Sequence, residues 1–407
     1  MRHFSLLFSA LLALSIALPH GADARPPTKA EMDAKRQATV DGYVDKVQNY
    51  VDQLTGTDMA AREKAALGLS KISSKAYKAI PILIDALKNG DDFTRQACAY
   101  AMGKIGRKSS AAVPIMAEFL KEGSTDLRMQ ILEAFYKMGS AADKAAPALV
   151  ALLNDKNKDI RMATIQTLGK LGSGGVPALV EALKSSNATV RENAFFAISR
   201  IGFNAKAAVP SLIELLSDKD AKTRSLALRT LDKIGNGAAQ ATPDVIKLMN
   251  DQNFSVRASA ARTLGRFGKG AADAIPTLTK TLKDPNKQVR GEAAFALSKM
   301  GGAPDVLLEP LLGLMNAPNW EDRNKASASL LQIGTKAMPA LFEMLKNTTD
   351  MYQQDDLMML IENIGPPVPI EAKATVIELT NHTRERVKYF AKAVLAHIEG
   401  RSPYQYQ

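Results

Sequence analysis

Eight basic residues stand at near-constant spacing along the chain: Lys71, Lys104, Lys137, Lys170, Arg200, Lys233, Arg266 and Lys299. The series then fails, with Gln332, Asn363 and His397 in its place. Four residues ahead of its members stand Tyr100, Glu133, Gln166, Phe196, Arg229, Arg262 and Phe295. Cations interleaved with aromatic rings are what a groove for an extended anionic partner needs, because charge draws the partner in and rings grip its apolar parts. The competing account is local. A cation in the last turn of a helix is favoured by the helix dipole, with no ligand involved.

Other chemistries lack their parts. Beyond residue 24 the histidines are His382 and His397, fifteen residues apart, with no cysteine near them. That is too little for a zinc site or for a Ser-His-Asp or Cys-His nucleophile. The one cysteine, Cys98, falls at a small, buried helical position and reads as a core residue. The acid pairs Asp91-Asp92 and Asp355-Asp356 are expected in turns or at helix starts, and Trp320 in a loop. The glycine-rich GSGG at Gly172 has neither the lysine nor the strand of a phosphate loop. We read no catalytic residue, cofactor or metal site.

The cations are positioned by a repeat. An arginine, taken as position 0, stands at Arg62, Arg95, Arg128, Arg161, Arg191, Arg224, Arg257, Arg290 and Arg323, and seven of the eight intervals are 33 residues. Gln354 and Lys388 hold the same place in two weaker units, making eleven. A fixed period of this length marks a solenoid. Each unit predicts two helices. One starts at the arginine's VR-type pair and buries positions +3, +4, +7 and +10, as in Ala260, Ala261, Leu264 and Phe267. Glycine at +11, from Gly106 to Gly365, stops it. A proline such as Pro81, Pro210 or Pro276 opens the next helix, where its missing N–H costs nothing. Position +9 lies 180° from the arginine and shares an exposed face with +5.

The pattern VRxxAAxALxxIG followed by a proline-led helix resembles the HEAT repeat, in the variant also found in phycobilin lyases, over residues 40 to about 399. The resemblance implies an all-α solenoid, a superhelix of about eleven helix pairs, and helix spacing would make it roughly 90–110 Å long. It also implies that the VR helices line the concave side, which would turn the +9 and +5 columns into a groove. By the same resemblance Arg161, Arg224, Arg257 and Arg290 form a structural ladder with Asp155, Asp218, Asp251 and Asp284, each six residues before an arginine. A protein-binding scaffold is the reading that follows. A bilin-lyase-like enzyme or ligand carrier is one alternative, detectable by visible absorbance. A nucleic-acid-binding solenoid is the other, although an export signal argues against it.

That signal is residues 1–24: an apolar run from Ser5 to Leu18 and a small-x-small site at Ala22-Asp23-Ala24. It predicts export to a periplasm or the exterior and leaves no later membrane span. Residues 25–39 read as a polar leader or capping segment, 40–400 as the solenoid and 401–407 as a tail. Net charge is +11 and uneven. Residues 1–300 hold 43 basic against 29 acidic residues and 301–407 hold 10 against 13, so the basic column ends where the charge changes sign.

Overall fold

The computed structural model describes residues 28–300, 304–317 and 320–401; the expected export signal, most of the expected tail and the first part of the expected leader lie outside them. Among the described residues there are twenty-two α-helices in eleven consecutive pairs and no strand. Unit 1 pairs Lys29–Leu54 with Met59–Ser70, and unit 11 pairs Lys373–Leu379 with Glu385–Ile398. One continuous core of buried apolar residues runs from Val47 to Val394. A single pair could not bury its own stripe, and stacking lets each pair cover the next.

The local causes are regular. In unit 7 the VR helix is Phe254–Phe267, and Ala260, Ala261, Leu264 and Phe267 are all buried. Each VR helix from unit 2 to unit 7 ends at a glycine with positive φ, +59° to +75°, a region costly for any residue with a Cβ. The segment after it is a 3-10 turn rather than an open loop, for example Gly202–Ala208. In the short units it contracts to four residues, Gly172–Gly175 and Gly334–Ala337, with the flanking helices intact. The next helix carries its proline in the first turn.

Three assignments made from sequence change. The first helix begins at Lys29, so most of the leader is helical, opened by a capping box between Thr28 and Glu31. Trp320 opens the helix Trp320–Ile333 instead of lying in a loop. Asp355 and Asp356 sit inside the helix Met351–Ile364, where Asp355 faces Arg384 and Arg386 and Asp356 accepts from Arg323. Cys98 is fully buried, and burial pushes its thiol up to about 12.

From unit 4 to unit 9 the half-buried arginine column has a main-chain partner six residues back. Arg161, Arg224, Arg257 and Arg290 donate from Nη1 to the carbonyls of Asp155, Asp218, Asp251 and Asp284, at 2.6–2.8 Å. Arg191 makes the same bond to Ser185, and in unit 10 Gln354 makes it to Thr348. The carboxylate contacts cross to the neighbouring unit. Arg224 grips Asp251 with two bonds of 2.7 and 2.9 Å, Arg257 grips Asp284 with two of 2.8 and 3.0 Å, and Arg128 pairs with Asp155. Asp218 is not bonded to an arginine through its carboxylate; it caps the N–H of Asp220. Burial alone would raise Asp251 and Asp284, but the arginine bonds and the N–H groups of Asn253 and Asn286 outweigh it and hold both carboxyls below their usual range.

A depressed folded-state value means stability that is present above the unfolded pKa of about 4 and lost as pH falls through the lower folded value. Asp284→Asn should therefore cost about 2 kcal/mol at pH 7, as expected for a charged hydrogen-bonded pair at a partly buried site. The gap from wild type in urea titrations should stay constant above pH 5 and close as pH drops below 4. A gap independent of pH would contradict the pairing.

Candidate functional site

The VR helices pack side by side because two of their positions are small. Position +6 is buried in every unit from 2 to 9: Ala101, Ala134, Thr167, Ala197, Thr230, Thr263, Ala296 and Ser329. Two of the three threonines reach across with their hydroxyls, Thr263 to the carbonyl of Leu228 at 3.1 Å and Thr167 to that of Leu132 at 3.2 Å, while Thr230 donates within its own helix to Leu226 and accepts from Ser199 of the preceding unit. Position +8 is glycine in three units. A Cβ on Gly103 would stand 2.9 Å from the Cα of Ala134, and one on Gly265 2.8 Å from that of Ala296. Both columns could have been found as runs of small residues on the supposedly exposed side of the arginine arc.

This packing forms a cavity of about 640 Å³ whose lining comes entirely from the VR helices of units 4 to 7. Arg200, Arg229, Lys233, Arg262 and Arg266 surround it, and Phe196 stands among them. Met162, Ile165 and Leu226 complete an apolar wall. Met162 and Phe196 are 48% and 44% exposed, so the apolar wall is partly open to solvent.

The other predicted residues are not brought into this cavity. All eight cations of the +9 column are exposed, but several are occupied by their own chain. Lys137 pairs with Glu133 and stands 4.7 Å from the centre of the Tyr100 ring. Lys170 lies 5.1 Å from that of Tyr136 and Lys299 5.2 Å from that of Phe295. Tyr100 and Phe295 are half-buried, which leaves Phe196 as the one of these three predicted aromatics that is exposed. Lys71 and Lys104 stand exposed outside the cavity.

Two buried acids shape the electrostatics, and the sequence reading missed both. Glu292, at +2, is 1% exposed and accepts from Arg262 of the preceding unit and from Lys325 of the following one, the latter at 2.6 Å. Asp232, at +8, is 8% exposed, and Arg266 Nε lies 3.5 Å from its Oδ1. Asp232 was visible as an acid breaking a column that is otherwise mostly glycine or serine; Glu292 left no such mark. Arg262 is raised by its bonds to Glu292, against burial, which lowers it. Among the described residues no cluster of His, Cys, Asp and Glu could hold a metal ion, and no helix is long and apolar enough to cross a membrane. His382 is half-buried, its Nδ1 accepting from the N–H of Arg384.

Family models for HEAT repeats match residues 47–135, 176–249, 242–332 and 275–358, and one for the single HEAT repeat matches residues 146–175. The chain belongs to the HEAT-repeat family. No curated protein matches it. Among solved structures, this HEAT-repeat solenoid is similar to the karyopherin Kap121p bound to the extreme C-terminus of the protein phosphatase Cdc14p, at 15% identity and a TM-score of 0.61. It is similar as well to Kap121p bound to Pho4p, at 14% and 0.63. Each likeness covers 92% of this chain and 50% of the other, so the chain spans half the length of these structures. At such identities the likeness is one of fold.

Glu292→Gln should cost about 2 kcal/mol, less than a fully buried pair because the Arg262 side chain is 41% exposed. Hydrogen exchange should localise the loosening to units 7–9; protection unchanged there would contradict the bridge.

Proposed function

We propose that the chain is an exported, non-enzymatic binding scaffold whose VR-helix groove holds an acidic, extended polypeptide. The observation that carries this is the set of cations around an apolar cavity in units 4 to 7, three of which, Arg200, Arg229 and Lys233, face no acidic side chain within ion-pairing distance among the described residues. Solvent-exposed cations beside an apolar wall give a partner both steering and grip. The Kap121p structures bound to Cdc14p and Pho4p lend support by fold analogy, since there a solenoid of this kind carries a protein partner. Export rests on the apolar run and cleavage pattern of residues 1–24. A nucleic-acid partner is less favoured, because Glu133, Asp232 and Glu292 take up the charge of Lys137, Arg266 and Arg262, so a phosphate backbone would meet no continuous run of free cations.

The test is a cross-linked pull-down from the exported fraction at moderate salt. Wild type is compared with Lys170→Glu/Arg200→Glu/Lys233→Glu, all at exposed sites. Proteins captured by wild type should be lost by the variant; identical captures would remove the groove from consideration. N-terminal sequencing of the exported protein should begin at Arg25, and an intact Met1 would contradict cleavage.

A further inference from the structure

The cavity holds the same pair of cations twice, on neighbouring helices, and treats the two pairs differently. In unit 7 Arg262 and Arg266 stand one turn apart, and each has an acid: Glu292 for the first, Asp232 for the second. In unit 6, whose VR helix is Ala221–Ile234, Arg229 and Lys233 stand one turn apart with no acidic partner among the described residues. Arg200, from unit 5, faces the same cavity and is equally unpaired. Like charges at i and i+4 repel, so the unit 6 pair is an arrangement that an anion would relieve and the unit 7 pair is one already relieved from within.

A second observation fixes the direction. The side chain of Asp232 is nine-tenths buried at the cavity, and its Oδ1 has no hydrogen bond, Arg266 making only a loose ion pair with it. This carboxylate repels an anion from the unit 7 end and leaves the unit 5–6 end as the place where one can settle. Beside that end lies the apolar wall of Met162, Phe196 and Leu226.

Resting on the groove reading above, we propose that units 4 to 6 form a receptor for one short element of polypeptide. A large apolar side chain enters against Met162, Phe196 and Leu226, and one or two carboxylates beside it in sequence meet Arg200, Arg229 and Lys233. A cavity of about 640 Å³ has room for one such side chain and the backbone that carries it. The polypeptide, rather than a polyphosphate strand, follows from the confinement of the unpaired charge to three residues bounded by an acid.

The probe is a displayed library of random twelve-residue peptides, selected on the full chain and counter-selected on an Arg229→Glu/Lys233→Glu double variant. Enriched peptides should carry Asp or Glu within two residues of one Leu, Met, Phe or Trp. A synthetic copy should bind at least tenfold more weakly when that apolar residue becomes Ala, and when the protein carries Met162→Ala/Phe196→Ala. A Lys71→Glu/Lys104→Glu variant should bind it within twofold of wild type. Absence of enrichment, or enrichment without an apolar position, overturns the receptor. Equal losses from both charge-reversed pairs overturn it as well, while leaving a diffuse basic groove standing. A single-stranded DNA twelve-mer binding tenfold tighter than the selected peptide overturns the choice of ligand class. If the pull-down above fails but a selected peptide binds as described, the receptor stands without the wider groove.

Discussion

The bond from the position-0 arginine to a carbonyl six residues earlier is the constraint on which the rest of the molecule depends. In units 4 to 10 it ties the start of the VR helix to the end of the helix before it, so the two helices of a unit meet at one fixed offset. Arg161, Arg191, Arg224, Arg257 and Arg290 all make it. Because the acceptor is main chain, the bond survives where the aspartate is absent, as at Ser185. The carboxylate contacts are an addition, present where an aspartate lies 27 residues on and an arginine turns to meet it. They set one unit against the next, a register role more than a source of net stability.

Fixed register has a consequence on the opposite side of the helix. Once every VR helix starts at the same point, positions +5, +6, +8 and +9 of neighbouring units fall beside one another. The small residues at +6 and +8 let the helices approach, and the longer side chains at +5 and +9 are left to line what remains between them. Whether a given cation there is available then depends on what the neighbouring unit presents. Tyr100 and Tyr136 take Lys137 and Lys170; Glu292 takes Arg262; no acid or ring among the described residues takes Arg229 or Lys233. A column uniform in sequence becomes uneven in space.

This marks the boundary of what could be read without coordinates. The period, the stopping glycines, the opening prolines and the buried arc were legible because each is a local requirement repeated many times, and the HEAT-repeat solenoid follows from them. The candidate site was legible only as two columns. Its focus was not, because the deciding contacts join residues thirty or so apart whose types give no sign of pairing: Arg262 with Glu292, Lys325 with Glu292, Arg266 with Asp232. Tyr100 looked like an anchor for the same reason, since the wheel of one helix does not show the lysine that the next helix lays over its ring, whereas Lys299 over Phe295 was legible as a one-turn pair within its own helix. The helical leader escaped notice because residues 29–39 are polar all round and carry no stripe to reveal their period.

The central claim is that the working surface is the VR-helix groove at units 4 to 6. Lysine footprinting of the chain bound to its captured partner tests it most directly. Lys233 and Lys170 should be protected from acetylation, while Lys219 and Lys283, exposed on the turns between paired helices, should be modified as in the free protein. Protection of Lys219 and Lys283 with free modification of Lys233 would place the partner on another face and contradict the account.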